Sequence, residues 1–278
     1  MANTVRDINQ QFWSNKCAPH LTIRATHNSI QGYKAHSHSE LSIGLIESGT
    51  TCLSMSDEQI VLNKGDIILI EPNKVHACNA IDGKPRSYHM LYVDKAWCCE
   101  ILSTLYGYEV TQFTCEQNLL TSIRDNKLAG LISALLAQES QELASEVDRE
   151  VFNLLSYYCS PSTERENDDE LAYKVRNRLL ENIATPPSLN IISQEFGRSN
   201  ESLIRSFKRR FGITPKSFLN NNRVEKAKLL LKCGMNIVDV ATEVGFSDQS
   251  QLHRAFVNYT ASTPRQYQQV KSIFDNNS

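Results

Sequence analysis

The segment Glu195-Phe196-Gly197-Arg198-Ser199 is repeated 48 residues later as Glu243-Val244-Gly245-Phe246-Ser247. Beyond each copy the match continues at an offset of 49 residues, pairing Leu203, Arg205, Phe207, Gly212, Thr214, Pro215 and Phe218 with Leu252, Arg254, Phe256, Ala261, Thr263, Pro264 and Tyr267. Each copy predicts an apolar helix, a turn at the glycine and a second helix opened by the serine, because glycine accepts a left-handed backbone and serine caps helix N-termini. This order is typical of the helix-turn-helix, whose second helix enters the major groove of DNA.

The two predicted recognition helices present different side chains. In the first, the spacing of Leu203, Phe207 and Phe211 predicts the inward face, and the outward candidates for DNA contact are Asn200, Glu201, Ile204, Arg205, Lys208 and Arg209. In the second, the outward candidates are Ser247, Gln249, Ser250, His253 and Arg254. Asn, Gln and Arg can bond base edges, whereas clustered Lys and Arg neutralise phosphates. We expect the first unit to contact both phosphates and bases, and the second unit mainly bases. The alternative interpretation is that these side chains form a solvated helix face.

Charge is divided unevenly along the 278 residues, whose overall net charge is −2. From residue 170 onward, 16 Lys and Arg stand against 9 Asp and Glu, a net charge of +7, while residues 1–169 hold 13 and 22, a net charge of −9. A basic half fits a polyanionic partner, and an acidic half is repelled by the phosphate backbone. The length allows two domains, which we predict at 1–160 and 170–278 with a polar linker at 161–169.

The sequence shows no sign of secretion, membrane insertion or catalysis. Its eight cysteines have no Cys-x-x-Cys or zinc-finger spacing and are expected to be reduced, mostly buried thiols. No apolar stretch approaches the roughly 20 residues of a membrane span, so we expect a cytoplasmic protein without a membrane partner. A phosphate-binding glycine loop, His-Glu-x-x-His and a nucleophile elbow are absent from the sequence, which argues against an enzyme.

The apolar residues of the N-terminal half are spaced in two different ways. Between residues 20 and 95, short or alternating apolar runs separated by turn signals predict many short strands, as in a small barrel or sandwich. After about residue 117, apolar spacings of three and four predict two helices. Their apolar stripes either cover the barrel or form the interface of a homodimer, for which the candidates are Leu128, Leu131 and Leu135 or Leu143, Val147 and Leu154.

Residues 170–268 resemble the DNA-binding domain of the AraC/XylS family of bacterial transcription regulators. The residues that carry this resemblance are Arg223-Val224-Glu225-Lys226-Ala227, Ile237-Val238-Asp239-Val240-Ala241, Gly245-Phe246-Ser247-Asp248-Gln249-Ser250, Arg254-Ala255-Phe256 and Thr263-Pro264-Arg265-Gln266-Tyr267. The resemblance implies two helix-turn-helix units joined by a long helix, with double-stranded promoter DNA as a partner and RNA polymerase as a further candidate. The sequence departs from the family pattern at Ser193, Val257, Ala261 and Gln268.

The segments His36-Ser37-His38-Ser39-Glu40 and 62–76 resemble the two halves of the cupin barrel found in effector domains of this family. The candidate effector-binding residues are His36, His38, Glu40, His76 and Tyr92. Imidazoles two residues apart on a strand lie on one side and could share a metal with His76. However, Glu40 comes too early to be the carboxylate ligand of metal-binding cupins, so no metal or cofactor is expected.

Together these features predict a two-domain α+β transcription regulator, with a cupin-like β-barrel and helical hairpin followed by an all-α DNA-binding domain. We expect a small-molecule effector in the barrel to control it. A further likeness of Phe12-Trp13, Pro72–Cys78 and Ser87–Asp94 to regulators associated with amino-acid exporters suggests an amino acid or related metabolite. The alternatives are a constitutive dimeric DNA-binding regulator without effector and a metal-dependent cupin enzyme.

Overall fold

The computed structural model describes residues 9–16, 18–55, 58–121, 127–138, 140–162 and 171–269. Its first strands are β1 (Gln10–Asn15), β2 (Ala18–Ser29), β3 (Leu41–Ser48), β4 (Thr51–Met55), β5 (Glu58–Leu62), β6 (Ile67–Ile70), β7 (His76–Ala80) and β8 (Arg86–Val93). A short strand, β10 (Leu119–Leu120), completes the larger antiparallel sheet, which has the order β1-β2-β8-β3-β6-β10, and the smaller sheet has the order β5-β4-β7. The prediction of a strand-rich N-terminal region is confirmed.

The larger sheet is covered on both of its faces. One face packs against α1 (Lys95–Tyr106), α2 (Lys127–Ala137) and α3 (Gln141–Tyr158). The other face and the smaller sheet enclose the barrel interior, whose buried side chains include Ile46, Leu53, Leu62, Ile68, Ile70, Tyr88 and Met90. The division follows from strand geometry, because successive side chains point to opposite faces of a sheet.

The apolar stripes of α2 and α3 belong to the core of this chain. Leu128, Leu135 and Val147 are at most 4% exposed and lie in the cluster between the helices and the larger sheet. The partly buried members that pack against the same cluster are Leu131, Leu143 and Leu154. The prediction that these stripes form a dimer interface is therefore wrong for the buried positions, because the outer face of the sheet already covers them.

Helix α1 follows no strong apolar period and is missing from the sequence-based prediction. Its start is nevertheless encoded locally, because the Asp94 carboxylate caps the helix by accepting a hydrogen bond of 3.0 Å from the Trp97 amide. Two further short strands, β9 (Phe113–Cys115) and β11 (Cys159–Pro161), pair with each other. Residues 163–169 of the predicted linker lie outside the described residues.

The C-terminal region is helical, as predicted. Its helices are α4 (Leu171–Leu180), α5 (Leu189–Glu195), α6 (Asn200–Phe211), α7 (Pro215–Lys232), α8 (Ile237–Glu243), α9 (Gln249–Thr260) and α10 (Pro264–Gln269). The pairs α5–α6 and α8–α9 are the two helix-turn-helix units, and α7 joins them. No helix within the described part of the chain is both long and apolar enough to cross a membrane.

The repeated sequence produces a repeated backbone. Gly197 and Gly245 form the two turns with φ angles of +61° and +89°, and Gly212 and Ala261 end the two recognition helices in the left-handed region. Only the first recognition helix is capped as predicted, by Ser199. These equivalences confirm the turn signals but not every cap.

The second recognition helix begins one residue later than predicted. Its cap is Asp248, whose carboxylate accepts from the Gln251 amide at 2.7 Å. The hydroxyl of Ser247 donates to the same carboxylate. A charged acceptor bonds backbone amides more strongly than a hydroxyl does, so the carboxylate takes the cap position from the serine.

The two turn glycines allow a matched test of what each turn requires. Alanine at Gly197 meets no atom within 4 Å, whereas alanine at Gly245 brings its Cβ to 2.3 Å from the Ala184 carbonyl oxygen. We predict that Gly197→Ala lowers the unfolding free energy by about 1–2 kcal/mol, the cost of a left-handed alanine. Gly245→Ala should cost a further roughly 1–3 kcal/mol through the clash. Urea unfolding of both variants measures the difference, and equal losses would contradict this packing.

Candidate DNA-binding surface and effector cavity

The first recognition helix presents a charged surface opposite its buried side. Leu203 and Phe207 are fully buried. The exposed members of the predicted DNA-contact set are Glu201, Arg205, Lys208 and Arg209, and the half-buried members are Asn200 and Ile204. Hydrogen bonds from the backbone and from Ser199 lower the pKa of the Glu201 carboxyl. Glu201 is therefore an acceptor only, suited to a cytosine amino group and repelled by phosphate.

The second recognition helix presents a mainly uncharged polar surface. The exposed members of its predicted set are Ser247, Gln249, Ser250 and Arg254, and His253 is half-buried. The cap bond from the Gln251 amide lowers the pKa of the Asp248 carboxyl, so its negative charge offsets that of Arg254. This helix thus carries side chains suited to base edges but no cluster of cations.

A cavity of about 40 Å³ lies in the barrel interior and is lined by both halves of the chain. The predicted effector residues His36, His38, His76 and Tyr92 line it. From the helical half, its wall is formed by Lys228 of α7, Tyr259 and Thr260 of α9, and Tyr267 of α10. The helical half therefore closes the cavity.

The remaining predicted effector residue, Glu40, does not line this cavity. The chain bends at Ser39 and Glu40 before β3 begins, which directs Glu40 to a second pocket of about 270 Å³ between this bend and α7. Lys228 and Tyr267 line both spaces. They form a wall shared by the cavity and the outer pocket.

Three imidazoles meet inside the cavity. The ring of His36 lies 4.7 Å from that of His38 and 4.6 Å from that of His76, between centroids. The Nδ1 atoms of His36 and His76 lie 2.7 and 2.9 Å from the carbonyl oxygens of Lys34 and Lys74, so they carry the proton and leave Nε2 as an acceptor. Burial lowers the pKa of all three imidazoles, so the cluster is neutral at pH 7.

This cluster could hold a transition metal through three nitrogens, since one ligand atom of each histidine lies within 4.8 Å of the others. Carbonyl groups that fix the second nitrogen are common around metal-binding histidines. Within the described residues, the nearby carboxylates of Glu40 and Glu225 group with His38 alone. The set therefore offers three imidazoles without a carboxylate, and the same neutral groups can instead bond an organic ligand.

Polar contacts fasten the helical half to the barrel. The buried Asn221 side chain donates to the Ser37 carbonyl at 2.9 Å and accepts from the Ser37 amide at 3.4 Å. The Lys34 amide donates to the Asn258 carbonyl at 3.0 Å. Both contacts join a barrel loop to a helix of the helical half, and each uses a backbone group of the barrel loop.

A second set of contacts surrounds the cavity itself. Lys228 is 6% exposed and pairs with Glu225 at 2.7 Å. Burial acts to lower the pKa of Lys228, but the Glu225 carboxylate outweighs it and the pKa lies above its usual value. Phe12 of β1 packs edge-on against Tyr267, with 5.7 Å between ring centroids. The helical half thus contributes a neutralised cation and an aromatic side chain to the cavity.

Comparison with known proteins identifies both halves. Residues 19–155 match the model of the AraC-like ligand binding domain, and residues 192–269 match that of a helix-turn-helix domain. The chain is 31% identical over 251 residues to an uncharacterized HTH-type transcriptional regulator, YbfI, of Bacillus subtilis, covering 84% of this chain and 87% of that protein. The chain belongs to the AraC family of transcriptional regulators.

Other AraC-family proteins agree with this assignment along most of the chain. The HTH-type transcriptional activator RhaS of Escherichia coli is 23% identical over 259 residues, covering 87% of this chain and 90% of RhaS. The structure of ToxT from Vibrio cholerae superposes with a TM-score of 0.53 at 15% identity, covering 90% of this chain and 98% of ToxT. This likeness supports the same two-domain fold.

Two departures from the AraC-family pattern have structural roles. Val257 is 8% exposed, so it is an internal contact. Gln268 donates to the Met235 carbonyl at 3.0 Å, which fastens α10 to the turn before α8. Neither side chain is available as a phosphate contact of the second unit.

The exposed arginines and lysine predict two kinds of mutational effect on DNA binding. Arg205→Ala and Arg254→Ala should each cost about 1–3 kcal/mol at a specific site and relax base preference there. Lys208→Ala and Arg209→Ala should weaken binding to all DNA sequences alike. Each should also reduce, by about one, the slope of the logarithm of the binding constant against the logarithm of the salt concentration. Titrations on a site selected from a random pool and on a scrambled site, at several salt concentrations, measure both. Equal losses on both DNAs for Arg254→Ala would refute its role as a base reader.

The neutral imidazoles predict an acid-sensitive fold. Because the pKa of His36 is well below 6.5 in the folded chain, the unfolded chain binds more protons below that pH. Stability is therefore lost as the pH falls below 6.5, by about 1.4 kcal/mol per pH unit for each imidazole that stays neutral. We predict that His36→Asn lowers by one the number of protons bound on unfolding, which is obtained from the unfolding free energy in urea measured between pH 5 and about 6.5. An unchanged slope would show that His36 is protonated in the fold.

Proposed function

We propose that the cavity binds a small-molecule effector, an amino acid or related metabolite, and that effector binding changes how the chain binds promoter DNA. The observation that carries this proposal is that both halves of the chain line the cavity, the barrel with Tyr92 and the DNA-binding half with Lys228 and Tyr267. A ligand that touches both sides interacts differently with the docked and undocked arrangements. Such differential affinity is the condition for a ligand to shift a conformational equilibrium.

Helix α9 offers a direct route from the cavity to DNA. Its N-terminal half carries Gln249 and Arg254, and its last residue, Thr260, lines the cavity. A helix of 12 residues is about 18 Å long. Because a short helix moves as a unit, a displacement at Thr260 is transmitted to the side chains predicted to read bases.

Full-chain titration against a DNA site selected from a random pool tests this function. Each of the twenty amino acids is added in turn at millimolar concentration. We expect at least one to change the Kd for DNA by about 5- to 150-fold, the usual range of coupling between sites. If the Kd never changes, the constitutive alternative gains support.

The metal-dependent alternative rests on the three imidazoles alone. Treatment of the full chain with EDTA, followed by the same DNA titration, separates the two functions. An effector-controlled regulator should keep its effector response without metal. Loss of the response on chelation, with recovery on adding Zn²⁺, would instead make the His36, His38 and His76 cluster a required metal centre.

We also propose that the regulator acts as a homodimer and that RNA polymerase is a further partner. Two chains would present four recognition helices and raise DNA occupancy through effective concentration. Because the buried stripe residues of α2 and α3 lie in the core, the interface must use other surfaces. Sedimentation of the full chain at micromolar concentration measures its oligomeric state.

Neighbouring asparagines on α7 provide a matched test of coupling between the halves. Asn221 bonds Ser37 of the barrel, whereas the Asn222 side chain donates to Phe218 within the same helix. We predict that Asn221→Ala changes the DNA affinity of the ligand-free chain by about tenfold. A higher affinity would mean that docking opposes DNA binding, and a lower affinity that docking favours it. Asn222→Ala should leave it unchanged. If Asn221→Ala also leaves the affinity unchanged, the interface does not control DNA binding.

A further inference from the structure

We infer that Arg24 is the anchor for a carboxylate group of the effector, so that the ligand class is small carboxylic acids. This inference rests on the proposed function, in which the cavity takes an effector. Arg24 lies on β2, is 4% exposed and lines the cavity. It was not among the predicted site residues.

The guanidinium of Arg24 has too few partners for a buried cation. Its Nη1 donates to the Thr260 carbonyl at 2.7 Å and its Nη2 to the Tyr33 hydroxyl at 3.1 Å. Its Nε has no hydrogen-bond partner among the described residues. No carboxylate of the described residues forms an ion pair with it. Removing a cation from water without a counter-charge is costly, so the surroundings of Arg24 are poised for an anion.

The other two buried cations of the cavity are better compensated. Lys228 pairs with Glu225 at 2.7 Å. Arg86 is 1% exposed and donates to three backbone carbonyls, those of Ser29, Gln31 and Cys78, at 3.1, 2.9 and 3.0 Å. Arg86 therefore ties the barrel together, whereas Arg24 has one carbonyl and one hydroxyl. The contrast singles out Arg24 as the cation with spare binding capacity.

The chemistry of the site matches a carboxylate. A guanidinium offers a planar fork of N–H donors that a carboxylate accepts in bidentate fashion. Tyrosine rings surround Arg24, with the centroids of Tyr33, Tyr88 and Tyr92 5.8, 5.9 and 5.6 Å from its Cζ. These rings stabilise the cation in the absence of an anion and form an apolar wall for the rest of an acid.

The size of the cavity sets a further condition. Its volume of about 40 Å³ exceeds the roughly 10–15 Å³ needed for one water, which suits a carboxylate group but not a whole metabolite. A larger acid needs more room than this cavity gives, and the adjoining space is the outer pocket of about 270 Å³ on the other side of Lys228 and Tyr267.

Thermal unfolding of the full chain tests the ligand class. The probes are acetate, propionate, benzoate and the twenty amino acids, with acetamide, propionamide and benzamide as uncharged matches at equal ionic strength. We expect at least one acid to raise Tm, by roughly 5–10 °C at 100 times its Kd, while its amide does not. Arg24→Gln should abolish the shift, and Arg24→Lys should retain part of it. Equal shifts with acid and amide, a full shift in Arg24→Gln, or no shift with any acid overturns the assignment.

A second measurement needs no ligand. If Arg24 is an under-compensated cation, Arg24→Met should lower Tm much less than Arg86→Met does, because apolar replacement of a poorly paired buried charge offsets the loss of one bond to the Thr260 carbonyl. The matched variant Arg86→Met removes donors from three carbonyls and should lower Tm. An equal fall in both variants would make Arg24 structural and end the proposal.

The outcomes separate this inference from the proposed function. If Asn221→Ala changes DNA affinity but no acid binds, the carboxylate assignment fails and coupling between the halves stands. If acids bind through Arg24 but leave DNA affinity unchanged, the site is real and the regulatory function fails.

Discussion

Docking of α7, α9 and α10 on the barrel is the contact on which the proposed regulation depends. The barrel mouth exposes backbone groups at Lys34 and Ser37, and these find partners on Asn258 and Asn221 of the helical half. A buried polar group without a partner costs about 1–3 kcal/mol. The barrel and the DNA-binding half therefore supply hydrogen-bond partners to each other. A ligand that rearranges these contacts acts on both halves.

Buried charge concentrates at the same place. Arg24 and Lys228 lie within one cavity, at 4% and 6% exposure, and only Lys228 has a carboxylate partner among the described residues. Such groups add little to stability compared with well-packed apolar side chains. Their retention is understandable if the cavity has a ligand to bind, since function commonly requires local departures from the most stable arrangement.

The sequence predicted the DNA-binding half far better than the cavity. The cavity depends on contacts between residues that are far apart in the sequence. Turns and helix ends depend on neighbours within a few residues, so Gly197, Gly245 and Ser199 could be interpreted locally, although Asp248 displaced Ser247 as a cap. The bond between Arg24 and Thr260 joins residues 236 positions apart. No local pattern encodes such a contact.

The pattern of β2 also conceals the site. Thr22, Arg24 and Thr26 alternate with apolar residues, which ordinarily indicates a solvated face of a strand. Here that face lines the barrel interior, where Thr26 is fully buried and Arg24 meets the helical half. The histidines were predictable because their spacing resembles a cupin barrel, whereas Glu40 was misplaced because the chain bends before β3.

Coupling between the barrel and DNA is tested most directly by amide hydrogen exchange of the full chain with and without a DNA site selected from a random pool. The decisive probe is the Lys34 amide, which donates across the interface to Asn258, and the internal reference is the His36 amide, which donates to His76 within the barrel. We predict that DNA changes the exchange rate of Lys34 and leaves that of His36 unaltered. Unchanged exchange at Lys34, with DNA bound, would contradict coupling between the two halves.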